Sequence, residues 1–224
     1  NYQLSVLSGR LSILSCSCLY PKLTYYMDKW KRDIEKVTRS PMEARKAYNK
    51  AASWIDIFEH PFEKPYKDRG LKLLNVQPGE SILELGCGTG YALVRLAQQA
   101  GREGRVTGVD IAENMLAAAE KRLNKAGVNS AEGGGFASVN LIRCDAADIH
   151  AGDNNFDGIF SSFVLELFQA ERITEVLEEI KRVLKPSGKI CVVALSRENV
   201  NLPVRIYEFF HGLPVAVVCA ALSG

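Results

Sequence analysis

The heptapeptide Glu84-Leu85-Gly86-Cys87-Gly88-Thr89-Gly90 concentrates the chemistry of this sequence. It follows a short apolar run, Ser81 to Leu85, and precedes a helical pattern, so it reads as a strand turning directly into a helix. Such a turn offers backbone N–H groups and the positive end of a helix dipole to a ligand. Glycines there let a ligand touch the backbone and let the chain take conformations closed to residues with a Cβ. Three alternating glycines exceed what a tight turn needs, and the ligand they suit is nucleotide-like. The dinucleotide fingerprint G-x-G-x-x-G would place its third glycine at position 91. The chain has Tyr91 there, its third glycine is Gly90, and an acid, Glu84, stands two residues ahead of the first.

Two further acids fall at the ends of apolar runs. Asp110 closes Arg105-Val-Thr-Gly-Val109, about 20 residues past the turn, where a carboxylate can accept hydrogen bonds from both hydroxyls of a ribose. Asp110 also suits the N-cap of the next helix. Asp145 follows Val139-Asn-Leu-Ile-Arg-Cys144, and Met115 lies one turn into the helix after Asp110, placed either to cover a flat ring or to fill the core.

The elements that must position these residues alternate. Ser40-Pro41-Met42-Glu43 reads as a capping box opening a helix to about Glu59, with Ala44, Ala47, Tyr48, Ala51, Ile55 and Phe58 on one side and His60-Pro61 as its stop. A second helix is expected from about Pro65 to Leu74. Strands then start at Ser81, Arg105, Val139, Phe156 and Ile190, separated by helices over about 89–100 and 113–126. A third separating helix carries Ile173, Val176, Leu177, Ile180, Val183 and Leu184 on one face, and Pro186-Ser187-Gly188 is its expected end. Continuous apolar strands between amphipathic helices imply a doubly wound α/β fold with a mostly parallel sheet. Gly133-Gly134-Gly135 reads as a surface loop.

The glycine turn and its acids resemble the E/D-x-G-x-G-x-G first motif of class I S-adenosylmethionine-dependent methyltransferases, whose Rossmann-like domain is doubly wound. Asp110-Ile111 resembles the second motif, and Asp145-Ala146 the pair that meets the adenine. The resemblance implies S-adenosylmethionine as cofactor, with its ammonium near Glu84 and contacts from Gly86, Cys87, Gly88, Gly90, Asp110, Ile111, Met115, Asp145, Ala146, Ser161 and Tyr48. Phe156-Asp-Gly-Ile-Phe-Ser-Ser-Phe163, Leu184-Lys-Pro-Ser-Gly188 and Tyr48-Asn49 with Trp54 are similar to the ubiquinone/menaquinone-type C-methyltransferases and their small-molecule relatives. That similarity runs from about Arg45 to Phe210. At Ser161 to Glu166 the chain lacks the acid or amide, two prolines and aromatic of amino-directed nucleic-acid methyltransferases. The expected activity is methyl transfer to a small molecule, a quinone precursor or phenol-like acceptor. An inactive cofactor-binding fragment and a protein or RNA methyltransferase are the alternatives. Tyr48 and Phe163 are candidates to face the sulfonium. No catalytic base is assigned, Glu166 and His60 being the nearest by chain position.

Composition narrows the partners. A net charge of +2, with 28 Lys and Arg against 26 Asp and Glu, argues against a broad phosphate-binding face, and no nucleic acid is expected. The six cysteines form no C-x-x-C pair, so Cys87, Cys144 and Cys191 read as reduced core thiols without a metal role. The longest apolar stretch, Leu213 to Leu222, contains Pro214 and is half the roughly 20 residues of a membrane span. Residues 1–39 read as an extension outside the fold, 40–212 as the methyltransferase domain and 213–224 as an atypical apolar tail. A first residue other than Met fits a fragment or a processed form. Arg10, Lys22 and several serines make mitochondrial targeting an alternative to a cytoplasmic location. The C-terminal strand hairpin usual in this fold is not expected, which would leave the fifth strand with a bare edge.

Overall fold

Ser40 opens the first helix as its spacing requires. Its amide donates to Glu43 Oε2 at 2.7 Å and the Glu43 amide donates back to Ser40 Oγ at 3.3 Å, closing a capping box. Helix α1 (Pro41–Phe58) follows, then α2 (His60–Leu74). The computed structural model describes residues 40–58, 60–128, 135–195 and 215–221. The expected extension over 1–39, the Gly133-Gly134 part of the loop, the expected helix over 203–211 and the side chains of Trp54, His60 and Glu166 lie outside the described residues.

His60-Pro61 belongs to the second helix instead of lying outside both. The second helix starts at His60, and the proline sits in its first turn, where an amide would have no intrahelical partner. On α1 the face turned inward is Pro41, Ala44-Arg45 and Tyr48-Asn49, whereas Ala47 is exposed.

From Ser81 the chain alternates as the pattern predicts: β1 (Ser81–Leu85), α3 (Tyr91–Ala100), β2 (Arg105–Asp110), α4 (Glu113–Lys125), β3 (Ser138–Arg143), β4 (Phe156–Ser162), α5 (Ala170–Val183), β5 (Leu184–Leu195) and β6 (Val215–Ala221). The strand order is β3-β2-β1-β4-β5-β6. The first five strands are parallel and β6 runs antiparallel to β5. This is the doubly wound, Rossmann-like sheet. The order reverses between β1 and β4, the switch point at which such folds bind ligands beyond the strands' carboxyl ends.

Two differences from the sequence reading concern β5. It begins at Leu184, so Pro186-Ser187-Gly188 lies within it, and the pairing with β4 steps from Phe156–Leu184 to Gly158–Lys189 to absorb the extra residues. The edge expected to be bare is paired from Lys189 to Leu195 with β6, built from the apolar tail. Cys87 and Cys144 are free thiols. Cys191, expected to be reduced, is disulfide-bonded. Its backbone stands in register with Cys219 of β6.

Strand alternation splits the core. Leu83, Leu85, Ile159, Ile190 and Val192 pack under Ile173, Val176, Ile180 and Val183 of α5. Ile82, Val106, Phe160 and Val193 face Leu71 and Leu74 of α2, Leu93 and Leu96 of α3 and Leu123 of α4. Side chains at alternate positions point to opposite faces, so Glu84 shares the face of Ile82 and is carried beneath α2.

Candidate functional site

The tips of β1 to β4, roofed by α1 and α2, enclose a cavity of about 320 Å³, the size of small-ligand sites. Ten of the twelve predicted site residues line it: Tyr48, Glu84, Gly86, Cys87, Gly88, Asp110, Ile111, Met115, Asp145 and Ala146. Met115 is both buried and part of the wall, so its two readings coincide.

Two predicted residues fall elsewhere. Gly90 supports the wall from behind. Its φ is +81°, and a Cβ there would stand 2.8 Å from the Ala119 Cβ, so the missing side chain lets α3 close on α4. Ser161 is wholly buried and points away from the cavity, which Ser162 reaches instead; one step along a strand changes face.

The turn also departs from the expected cradle of unpaired amides. Cys87 N–H donates to Val109 O, Gly90 N–H to Cys87 O and Gly88 N–H to Asp110 Oδ2, each at 2.9 Å. The Cys87 and Gly88 donors hold β1's exit against β2's, and the Gly90 donor closes the turn on itself. What the turn offers is close approach: at Gly88, with φ +51°, an added Cβ would meet nothing within 4 Å, whereas at Gly86 it would strike Val164 Cγ2 at 2.3 Å.

The three predicted acids sit on adjacent strand tips in distinct environments. Glu84 is 2% exposed and its Oε2 has no hydrogen-bond partner. Burial pushes its carboxyl up to about 8, with Lys67 opposing and Asp110 adding to the rise. A buried, unsatisfied carboxylate oxygen facing a cavity is costly unless a cationic ligand group meets it. Asp110 uses both oxygens, accepting the amides of Gly88 and Ala112 at 2.9 Å. Burial raises its carboxyl while these amides pull it down. Each oxygen keeps a lone pair for a further donor. Asp145 accepts Ala147 N–H at 3.0 Å and Arg172 Nη2 at 3.1 Å. Burial pushes the Cys87 thiol well up, which keeps it protonated and unreactive.

The roof was only partly foreseen. Glu113 on α4 accepts from Arg45 and from Asn49 Nδ2 at 3.1 Å, and Asn114 N–H donates to Asn49 Oδ1 at 2.9 Å. This seats α1 with Pro41, Ala44 and Tyr48 over the cavity. From α2 come Glu63 and Lys67, paired at 2.6 Å. Phe163, Val164, Leu167 and Phe168 add an apolar and aromatic part of the lining. Phe163 has φ +57°, uncommon for a bulky residue. Both aromatics proposed to face a sulfonium, Tyr48 and Phe163, line the cavity. An i,i+4 Glu–Lys pair on a helix ordinarily reads as a solvated face, which is why Glu63 and Lys67 escaped notice.

A parallel sheet with this strand order, a glycine turn at its switch point and acids on three successive tips defines a nucleoside-binding α/β domain. Residues 82–188 match the methyltransferase domain family. The demethylmenaquinone methyltransferase of Bacillus subtilis (strain 168) is 30% identical over 152 residues, 68% of this chain and 60% of that protein. That of Bacillus pumilus is 30% identical over 166 residues, 74% of this chain and 65% of that protein. A solved structure of a S-adenosylmethionine-dependent methyltransferase from Aquifex aeolicus is 25% identical with a TM-score of 0.50, covering 78% of this chain and 85% of that one. Residues 82–188 thus carry a methyltransferase domain, and the chain is similar to the class I S-adenosylmethionine-dependent methyltransferases, with similarities that run to the menaquinone-type members. Its match spans 60% of the length of the first Bacillus relatives. S-Adenosylmethionine is the cofactor of this class, and the residues present fit it: the orphaned Glu84 oxygen suits its ammonium and the open floor at Gly88 admits its body.

Proposed function

We propose that this chain transfers a methyl group from S-adenosylmethionine to a small molecule, a quinone precursor or phenol-like acceptor. The observation that carries the reading is the row of acids Glu84, Asp110 and Asp145 along one cavity that is also lined by apolar and aromatic residues. Asp145 would accept the adenine amino group, with the Ala146 amide beside the ring. Asp110 would accept the ribose hydroxyls. Glu84 would receive the ammonium. Ile111 and Met115 give the nucleoside an apolar bed, while Phe163, Val164, Leu167 and Phe168 suit a flat apolar acceptor.

Bound S-adenosylmethionine supplies a methyl group on a positively charged sulfur, open to in-line attack by an electron-rich acceptor. The chain's contribution is alignment, an effect for which roughly 7–11 kcal/mol is available in principle. Tyr48 and Phe163 can add about 0.5–2 kcal/mol by facing the cation. The roof formed by α1 and α2 would limit the access of water to the reacting atoms. Among the described residues no helix is long and apolar enough to cross a membrane; a cytoplasmic location, with mitochondria as the alternative, belongs to this proposal.

The test is an assay of the full chain with labelled donor against demethylated naphthoquinols and substituted phenols. Transfer to a ring carbon or oxygen of one of these supports the reading. S-Adenosylhomocysteine binding without transfer to any of them would reduce the chain to a cofactor-binding module.

A further inference from the structure

The order of the acids fixes which way the donor lies. Asp145, Asp110 and Glu84 lie at or beside the carboxyl ends of β3, β2 and β1, neighbours in that order, so a nucleoside on Asp145 and Asp110 directs its amino-acid tail toward β1, under α2. That tail is a zwitterion. Its ammonium and carboxylate are separated by a single carbon, so an acid that takes one needs a cation beside it for the other.

Among the described residues lining the cavity, the cations are Lys67 and Arg172. Arg172 is held at the adenine end, 3.1 Å from Asp145 and 3.5 Å from Glu175. Lys67 is at the other end. Its side chain is 18% exposed, its Nζ stands 5.7 Å from the centre of the Phe163 ring, and its charge acts on Glu84. Glu63, 8% exposed, grips Nζ at 2.6 Å. That bond uses one of three ammonium donors and pins the long side chain at the cavity rather than in solvent.

Building on the methyltransferase reading, we propose that Lys67 binds the carboxylate of the donor's amino-acid moiety, with Glu63 as the residue that positions it. Glu84 and Lys67 then read the two ends of the zwitterion, and α2 becomes the element that tells an intact donor from its decarboxylated analogue.

Calorimetry of the full chain with S-adenosylhomocysteine and with its decarboxylated analogue tests this. Lys67→Met is expected to weaken S-adenosylhomocysteine by about tenfold or more, as for a hydrogen bond between charged groups, and to leave the analogue within about twofold, since the analogue has no carboxylate to lose. Lys67→Arg should keep most of the affinity. Glu63→Gln, which frees Lys67 from a competing anion, should not reproduce the tenfold loss. Equal weakening of both ligands by Lys67→Met would make Lys67 structural and overturn the proposal, as would no change in either. If Lys67→Met does not fold, Lys67→Gln carries the same comparison. Wild-type protein that binds both ligands equally sinks the role of Lys67 alone; wild-type protein that binds neither sinks the methyltransferase reading with it.

Discussion

Asp110 reaches from the end of β2 to the Gly88 amide at 2.9 Å. The acid of one strand thereby fastens the glycine turn of its neighbour, and the proposed ribose seat and the proposed floor beneath the donor are one unit. Its second oxygen, on the Ala112 amide at 2.9 Å, ties the same unit to the entry of α4.

Replacing Asp110 with Ala should therefore weaken S-adenosylhomocysteine binding by about 1.5–3 kcal/mol, the range for hydrogen bonds to a charged group. Amide exchange at Gly88 should speed up in the ligand-free protein. Calorimetry showing unchanged affinity would remove Asp110 from the site.

Gly88 and Gly90 should respond oppositely to the same substitution. Gly88→Val carries a left-handed strain of about 1–2 kcal/mol but meets no neighbour, so the fold should survive and donor binding should vanish. Gly90→Val drives its Cβ into Ala119, backbone as well as side chain. Overpacking of about 1–3 kcal/mol adds to the strain, and a large fall in melting temperature is expected. Thermal melts paired with calorimetry separate the two; equal stability losses would show that the Gly88 side is not open.

Glu84 makes stability and binding depend on pH. Burial first, then Asp110, lifts its folded carboxyl to about 8 against Lys67, from an ordinary value of 4.5. Between those values the native protein keeps a proton that the unfolded chain has released, so the ligand-free protein should lose stability as pH rises from 4.5 to 8. Glu84→Gln should flatten that decline, melt higher than wild type at pH 8 and bind the donor poorly. Binding of an ammonium-bearing ligand at neutral pH should also release about one proton, read by calorimetry in buffers of different ionisation enthalpy. A wild-type stability profile that is flat across this range and matches that of Glu84→Gln would contradict the burial argument.

Glu113 should act as the latch of the roof. Arg45, then Asn49, with Arg143 beside them, hold its carboxyl well below the ordinary 4.5, so the stabilisation it gives is present above that value and is lost as pH falls. Glu113→Gln should raise amide exchange over residues 41–50 and speed release of S-adenosylhomocysteine, with the difference from wild type shrinking in high salt. Exchange rates that match wild type would free α1 from this contact.

The sequence made legible whatever depends on near neighbours along the chain. Strand β1 was predicted residue for residue, Ser40 and Glu43 close their capping box, and Asp110 and Asp145 sit at the tips of β2 and β3. The glycine pattern located the turn but not how its amides are used, because their acceptors, Val109 and Asp110, belong to another strand. What Gly90 packs against is hidden for a similar reason, since its close neighbour, Ala119, belongs to the next helix. Ser161 and Ser162 differ only in which face of β4 they take, and a parallel strand buried on both faces carries no clear alternation to say which. Lys67 faces a cavity formed with Phe163, nearly a hundred residues on, a separation at which local spacing says nothing.

Gly70, one helical turn beyond Lys67, has no room for a side chain: a Cβ would stand 2.7 Å from Val193 Cγ2 and 3.0 Å from Phe160 Cε2. Helix α2 is thus seated directly on β4 and β5, while the proposed nucleoside seats belong to β2 and β3 toward the opposite edge. The two ends of the cavity hang from different halves of the sheet. Changes along β5, or in the strand that lines its outer side, would reach the Lys67 end of the cavity through this helix and leave the Asp110 and Asp145 end in place, so the two halves of the proposed donor site can be tuned separately.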